Sequence, residues 1–497
     1  MAVGDADLGG TVVADAGGQR CGPAAASSTR QQRFVDRYLD ALRRQLDALV
    51  PLRHRALDWA HAAEGTATLG RRDLERGLAS RASRRLIIAV SHDDYALSSG
   101  GVQTLIGDEQ KAGNRAGWGY LHVSPAAPLP MLADPLPADR FRVRLRLDGA
   151  QLGVAAFSDL VRAVAERRQH GVTAELVFHH LSGHAPELLV DLLAAAGVRR
   201  PICWVHDFFT LCPSYGLMRN DVAFCGAPAL RSPACDLCCY GDERVRHAER
   251  MGRFFEAADP DVLAPSEAAL DFWLRKGTLP HGAHGVLPHA RLVMAPTAIR
   301  TGFAGARRPL RVAHLGAAAT LKGWHVFREL ASAFADDPRY RFLYLGAWRP
   351  PDLPAGVRHV PVTVTVRDRF AMVEAVAEAR VDVAVIWTLC FETFCYTAHE
   401  ALAGGAFVLA RADAGNVWPA IAHNAPQQGC TVADEKSLFD LLDAGGLMTA
   451  VDSAKRRRGA LIPGGGTLTW LREHAQRSPS APAARTESVA PPAEAGV

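Results

Sequence analysis

Two series of short, apolar, β-rich runs, each run set apart from the next by a helix-length stretch, constrain this chain more than any other feature. The first series holds LIIAV (86–90), AELVF (174–178), PICWV (201–205) and DVLA (261–264). The second holds RVAHL (311–315), RFLYL (341–345), DVAVIW (382–387) and AFVLA from residue 406. Strands apolar on both faces must be covered on both faces, and the helical spacers supply the cover. The pattern therefore predicts an α/β protein with two doubly wound, Rossmann-like sheets. Ligands of such sheets bind in the crevice at the carboxyl ends of the strands. The chain is long enough for this, since 497 residues exceed what one core usually spans.

The rest of the chain falls around those two halves. Residues 1–30 are rich in Gly, Ala and Ser without apolar periodicity and read as a disordered N-terminus. Residues 31–84 read as a helical extension. Phe34, Tyr38, Leu42, Leu46 and Leu49 recur there at helical spacing, a stripe that must pack on the main body or on a partner. Residues 85–300 make the first Rossmann-like domain and 301–475 the second, with 296–310 as a Gly-, Pro- and Arg-bearing linker. The Pro/Ala/Ser-rich tail 476–497 reads as disordered.

No stretch approaches the roughly 20 apolar residues of a membrane span, and the first residues lack the basic-then-apolar plan of a leader. The expectation is a cytoplasmic protein, with peripheral attachment at the inner face of the membrane left open. Its 56 basic and 52 acidic residues are too evenly matched to demand nucleic acid, yet leave room for a local phosphate site. In a reducing compartment its ten cysteines read as thiols or metal ligands rather than disulfides.

Directly after DVAVIW comes CFETFCYTAHEALAGG (390–405), with seven residues between Glu392 and Glu400, and then another buried strand. Two glutamates at that spacing are commonplace on a solvated helix. The flanking strands and Gly404-Gly405 make them specific. A helix starting just after Glu392 would aim free N–H groups and its positive dipole end into the crevice. Eight helical residues rise about 12 Å, enough to set the two carboxylates at opposite ends of a ligand.

The segment resembles the E-x7-E signature of retaining glycosyltransferases of the two-domain GT-B fold, family 4 (group 1), over about residues 85–445. That resemblance implies two Rossmann-like domains facing across a cleft, with acceptor on the first and nucleoside-diphosphate sugar on the second. It implies Glu400 on the ribose hydroxyls, Glu392 as a catalytic residue on the donor sugar, and backbone amides of Thr393, Phe394, Cys395 and Tyr396 on the phosphates and sugar. Lys322, at the loop-to-helix turn after RVAHL, would stabilise the departing diphosphate. Many relatives carry an arginine just after the strand glycine, but Ala317 follows Gly316 here. Gly100 and Gly101 stand where relatives place a glycine-rich loop against the donor. His206, in the turn after PICWV, matches a histidine that contacts the transferred sugar.

Ser266, in VLAPSEAAL, would cap a helix and line the cleft. His179, His180 and His184, in FHHLSGH, are candidate acceptor contacts, with no acidic partner at a suitable local spacing. Cys212, Cys225, Cys235 and Cys238 bear spacing suited to a structural zinc in a cysteine-bearing insertion (212–239) of the kind found in a surface-polysaccharide subset of the family. No cofactor is expected to be required for catalysis. The expected partners are a nucleoside-diphosphate sugar and a glycan or lipid-linked acceptor. A sugar-nucleotide epimerase, a phosphorylase, or an inert interaction protein on the same fold remain the alternatives at this point.

Overall fold

The structure is a computed structural model, described over residues 28–61, 68–81, 83–299 and 308–475. The disorder expected at both ends lies outside the described residues except at 28–30, which cap and open a helix instead, and most of the 296–310 linker also lies outside them.

The first sheet begins with β1 (Arg85–Val90), β2 (Gly119–Pro125), β3 (Arg142–Leu147), β4 (Ala150–Ala156), β5 (Thr173–Phe178) and β6 (Ile202–Trp204). A small hairpin, β7 (Met218–Arg219) and β8 (Ala223–Phe224), precedes β9 (Asp261–Ala264) and β10 (His284–Val286), which return to the sheet. Its order is β10-β9-β6-β5-β1-β2-β3-β4. The run from β10 to β2 is parallel, whereas β3 and β4 add an antiparallel edge that the apolar runs did not announce.

After the long strand β11 (Ala290–Ala298) the second sheet holds β12 (Leu310–Leu315), β13 (Tyr340–Gly346), β14 (Arg358–Pro361), β15 (Val383–Ile386), β16 (Phe407–Arg411) and β17 (Gly429–Val432). Its order is β14-β13-β12-β15-β16-β17, parallel throughout. Both sheets are therefore doubly wound. Chain order reverses between β1 and β5 in the first and between β12 and β15 in the second, and those are the crevices where such sheets take ligands.

The ends of the chain are exchanged between the two halves. The helix Thr29–Asp47, capped by Ser28, lays Phe34 and Tyr38 into the core of the second sheet. Phe34 meets Phe439 at 5.5 Å, and Arg30 reaches Asp443 at 2.9 Å. The apolar stripe of the extension thus finds the far half of the main body. Conversely, the helix Thr467–Ala475 inserts Leu468 and Trp470 into the core around Ile87 and Trp204 of the first sheet. The returning chain is β18 (Arg457–Pro463), which pairs antiparallel with β11 from Ala290↔Pro463 onward. Two crossings between the halves therefore run side by side, joined at their start by Gly464 N donating to His289 O at 3.0 Å. Among the described residues no helix is long and apolar enough to cross a membrane.

Candidate functional site

The second sheet contributes its part of the site from the carboxyl ends of β12 and β15. After β12 the chain turns at Gly316 (φ +88°), makes a single 3-10 turn over Thr320–Lys322 and enters the next helix through Gly323 (φ +74°). A Cβ at Gly323 would stand 1.8 Å from the carbonyl oxygen of Trp387, so only glycine fits. Leu389 N and Thr388 Oγ1 donate to Leu321 O at 2.8 and 3.0 Å, clamping this loop onto the chain leaving β15. The clamp brings Lys322 Nζ to 2.6 Å from Glu392 Oε1. Burial acts against the lysine's charge, but the Glu392 carboxylate outweighs it and holds the ammonium above its ordinary range. Burial pushes the neighbouring thiols the other way from reactivity, Cys390 to about 11 and Cys395 to about 12.

The expectation of a helix starting just after Glu392 is corrected. The helix runs Tyr396–Gly404, and Glu392 lies in an irregular stretch before it. The cause is that this stretch is tied elsewhere. Glu392 bridges to Gly415, Ser266 Oγ donates to Thr393 O at 2.6 Å, and Thr393 Oγ1 donates to His206 O at 2.5 Å. Cys395 then adopts φ +63°, a left-handed conformation that costs a non-glycine residue about 1 kcal/mol or more, to turn the chain into the helix. Helix covers only the stretch from Tyr396 to Glu400, four steps that rise about 6 Å, so the 12 Å helical span expected between Glu392 and Glu400 does not apply.

Glu400 is 5% exposed, and burial pushes its carboxyl up to about 7, with Arg369 acting in the opposite direction. The two glycines after it have separate causes. Gly404 packs where a Cβ would lie 2.4 Å from Val376, and Gly405 (φ +93°) terminates the helix.

The first sheet meets this segment directly. Gly100 caps the helix Gly101–Arg115, and a Cβ on Gly101 would lie 3.2 Å from the Tyr396 ring, so the glycine loop and the start of the Glu400 helix touch across the seam. Ser266 also caps the helix Glu267–Lys276 through Ala269 N at 3.1 Å. His206 does not present a free nitrogen. Its Nε2 is 3.0 Å from His179 Nδ1, and its Nδ1 is 3.0 Å from His289 Nε2. Burial lowers its pKa well below the ordinary value.

The three histidines after β5 are not a cluster. His179 faces Glu109, with Nε2 to Oε2 at 3.1 Å, near but off the ideal N–H axis. His180 pairs with Asp207 at 3.1 Å and lies on Phe209, while His184 is fully buried with its Nε2 on Ser91 O at 2.8 Å. Acidic partners absent from local spacing thus arrive from other elements.

Three residues of the seam escaped sequence reasoning: Glu109, His289 and Arg369. Glu109 had a signal, since it stands one helical turn after Leu105 on the buried face of its helix. Arg369 is nearly buried beside Asp108 at 2.8 Å, joining a loop of the second half to a helix of the first, and it is the basic group nearest in effect to Glu400. The sequence gives no local sign of it or of His289.

Cys212, Cys225, Cys235 and Cys238 line one cavity of about 20 Å³. Nevertheless, among the described residues no group of three or more His, Cys, Asp or Glu side chains is arranged to hold a metal ion. Arg244 Nη1 stands 2.7 Å from Cys235 Sγ, on the sulfur that a metal would need. A groove of about 700 Å³ between Arg358 and Arg380 shares no residue with the Lys322–Glu392 site.

No protein-family model matches the chain, and no curated protein matches it. Solved structures similar to it include sucrose-phosphate synthase from Thermosynechococcus elongatus, 15% identical over 74% of this chain and 91% of that one, with a TM-score of 0.46. A glycosyltransferase from Rickettsia africae ESF-5 is 11% identical over 75% of this chain and 91% of that one, with a TM-score of 0.44. Anabaena HepE in complex with UDP and glucose is 14% identical over 80% of this chain and 100% of that one, with a TM-score of 0.41. With scores this low the architecture rests on the chain's own topology, which is that of two Rossmann-like, doubly wound α/β halves meeting at the carboxyl ends of their strands.

Proposed function

We propose that the chain is a retaining glycosyltransferase of GT-B type that moves a sugar from a nucleoside-diphosphate donor to a glycan, lipid-linked or other hydroxyl acceptor, in polysaccharide or glycoconjugate synthesis. The observation that carries this reading is the Lys322–Glu392 pair, 2.6 Å apart at the switch point of the second sheet and just before the helix that bears Glu400.

Departure of a nucleoside diphosphate concentrates negative charge on phosphate oxygens, and fixed positive charge at that place lowers the barrier. Lys322 supplies the charge, and the amides of Thr393, Phe394, Cys395 and Tyr396 lie in the stretch that leads into a helix whose dipole adds to it. Glu392 holds Lys322 in place and takes hydrogen bonds from the donor sugar. Glu400 receives the ribose hydroxyls. The acceptor hydroxyl attacks from the face that the diphosphate leaves, passing its proton to the departing phosphate oxygen, which retains the anomeric configuration. Because Gly101 touches Tyr396, donor access requires the halves to part. The cysteine cavity is proposed as a structural zinc site on the Cys-x2-Cys spacing of Cys235 and Cys238; it requires the four thiols to draw together and Arg244 to leave Cys235.

The test is a panel of nucleoside diphosphates scored by thermal stabilisation, followed by transfer assays with the matching sugar donors and the anomer of the product read by NMR. Stabilisation by none of them would reject the reading. Conversion of donor without an acceptor would replace it with an epimerase.

A further inference from the structure

The loop that opens the cysteine-bearing insertion carries an aromatic ring that the proposed chemistry leaves unused. Tyr215 is 49% exposed, yet its loop is firmly held. The Tyr215 carbonyl accepts from Phe208 N at 2.9 Å. Ser214 Oγ donates to Met218 O at 3.1 Å and accepts from Met218 N at 2.9 Å, and Leu217 takes a left-handed φ of +51° to close the turn. The loop is anchored on the other half as well. A Cβ on Gly216 would lie 3.5 Å from Cys390 Cβ, and Met218 is buried in the core of the second sheet. A ring fixed in this way and open to solvent loses little freedom when a ligand covers it.

Solvent reaches Tyr215, but protein stands around it. Burial raises the pKa of its hydroxyl, with the Asp207 carboxylate acting the same way and the Lys322 ammonium against it. Lys322 is in the same position, since its side chain is 39% exposed while burial acts against its charge. Groups that are both open and surrounded line a cleft. The carboxyl ends of β6, β5 and β1 continue it across the first sheet. Asp207, after β6, is 24% exposed and pairs with His180, after β5, at 3.1 Å. The His180 ring meets that of His92, after β1, at 4.4 Å, and Gln103 joins His92 at 3.2 Å and Asp93 at 2.8 Å. Burial alone would raise Asp207, but His180 holds it below the usual carboxylate range, so it is an ionised acceptor. Its Oδ1 takes Phe209 N at 2.9 Å and keeps a second lone pair to offer.

These groups have the chemistry of a sugar site. One face of a pyranose is a plane of C–H bonds that lies flat on an aromatic ring, while the hydroxyls at its rim need polar partners. A lipid tail would need a continuous apolar surface, and Asp207 and Lys322 beside Tyr215 are charged. Position separates acceptor from donor. The proposed donor site belongs to the second half, whereas Tyr215 and Asp207 belong to the first. An acceptor that attacks on the face where the diphosphate leaves must also stand beside Lys322, and Tyr215 lies within reach of that charge.

We infer that Tyr215 is the platform on which a sugar ring of the acceptor stacks, with Asp207 taking one of its hydroxyls. That this sugar is the acceptor rests on the glycosyltransferase reading; the platform itself does not. The acceptor is then a glycan, free or lipid-linked, rather than a bare lipid or protein hydroxyl, and the insertion is the element that selects it.

The experiment titrates the full chain with the methyl glycosides of glucose, galactose, mannose and N-acetylglucosamine by saturation-transfer NMR, with and without UDP, GDP or ADP. At least one glycoside binds the wild type and takes up saturation on its C–H face. Tyr215→Ala weakens it about 10-fold, the scale of one lost stacked ring, and leaves nucleoside diphosphate affinity within about twofold of wild type. Tyr215→Phe, which keeps the ring and drops the hydroxyl, binds as the wild type does. Tyr215→Leu keeps the bulk without the flat face and stands in if the alanine variant fails to fold. Asp207→Asn weakens the same glycoside, and its deficit vanishes with the deoxy glycoside that lacks the recognised hydroxyl. In transfer assays Tyr215→Ala raises KM for the acceptor and spares KM for the donor; the reverse overturns the acceptor assignment. Equal glycoside binding by wild type and Tyr215→Ala, or no glycoside bound by a wild type that binds nucleotide, overturns the inference. A wild type that binds a glycoside through Tyr215 but no nucleoside diphosphate overturns the glycosyltransferase reading instead and leaves the platform standing.

Discussion

Glu400→Gln separates what a buried carboxylate does for binding from what it does to the fold. The folded carboxyl titrates near 7 rather than at its ordinary 4.5, because burial disfavours the charged form. Below about pH 4 the group is protonated in both states and the fold bears no penalty. As pH rises, the unfolded chain ionises first, so stability is lost between 4.5 and 7 and stays lost above. At about 1.4 kcal/mol per pH unit, the penalty is about 1 kcal/mol at pH 5 and about 3 kcal/mol at pH 8. The neutral, isosteric glutamine removes it. The variant is therefore more stable than wild type at pH 8, by up to roughly 5–10 °C in the melting of the second half, and the gap narrows sharply by pH 5. The same substitution weakens nucleoside diphosphate binding by about 1–3 kcal/mol if the carboxylate holds the ribose. Thermal unfolding of both proteins across this pH range, with titration calorimetry at pH 8, measures both effects. A gap that does not change with pH, or a variant less stable at pH 8, would refute the argument from burial. Unchanged affinity would refute the ribose assignment.

Lys322→Ala lowers turnover by about 100-fold or more, the scale of losing one preorganised charge at a developing anion, and weakens donor binding less. Glu392→Gln impairs transfer while sparing the sugar-free nucleotide, and because the two groups touch, steady-state kinetics of the double variant show a smaller loss than the two single losses combined. Gly323→Ala must displace the Trp387 carbonyl and strain a left-handed turn, costing at least about 2–3 kcal/mol by denaturant unfolding; a stability within experimental error of wild type would contradict the close approach. Freshly reduced protein carries about one equivalent of zinc if the cysteine cavity binds it, and a chelator then lowers the melting temperature of the first half. Metal-free protein of unaltered stability would dismiss the zinc.

Much of the scaffold was legible because central parallel strands advertise themselves. Each of the eight apolar runs falls on a strand of one of the two large sheets. Missed in those sheets are the strands at or near the edges, β3, β4, β10, β14 and β17, and the interior β2, whose buried run is broken in sequence by the polar His122 and Ser124. In RVRLRL, Val143, Leu145 and Leu147 alternate with arginines, and this pattern serves one covered face rather than two. The site shows the same division. Lys322, Glu392 and Glu400 stand in short segments whose flanking strands give them away. The helix start was misplaced because contacts to Ser266, His206 and Gly415, remote in sequence, hold Glu392 and Thr393 out of helical conformation. Glu109, His179, His206 and His289 come from four separate elements, and no local pattern could have joined them.

The paired crossing between the halves gives any opening motion a defined axle. Beyond the bond from Gly464 to His289, the chain continues through Gly465 and Gly466, both in left-handed conformation, before Thr467 fastens onto Glu109. Glycines there are the soft point of an otherwise stiff double strand. Torsion of one half against the other would bend the chain at this point. Thr467 grips Glu109, one end of the line that runs through His179 and His206 to His289, so Thr467 and His289 sit on either side of it. The leverage that parts the halves would therefore act on the hydrogen-bonded line at both ends at once, so that its alignment depends on the angle at which the two halves stand.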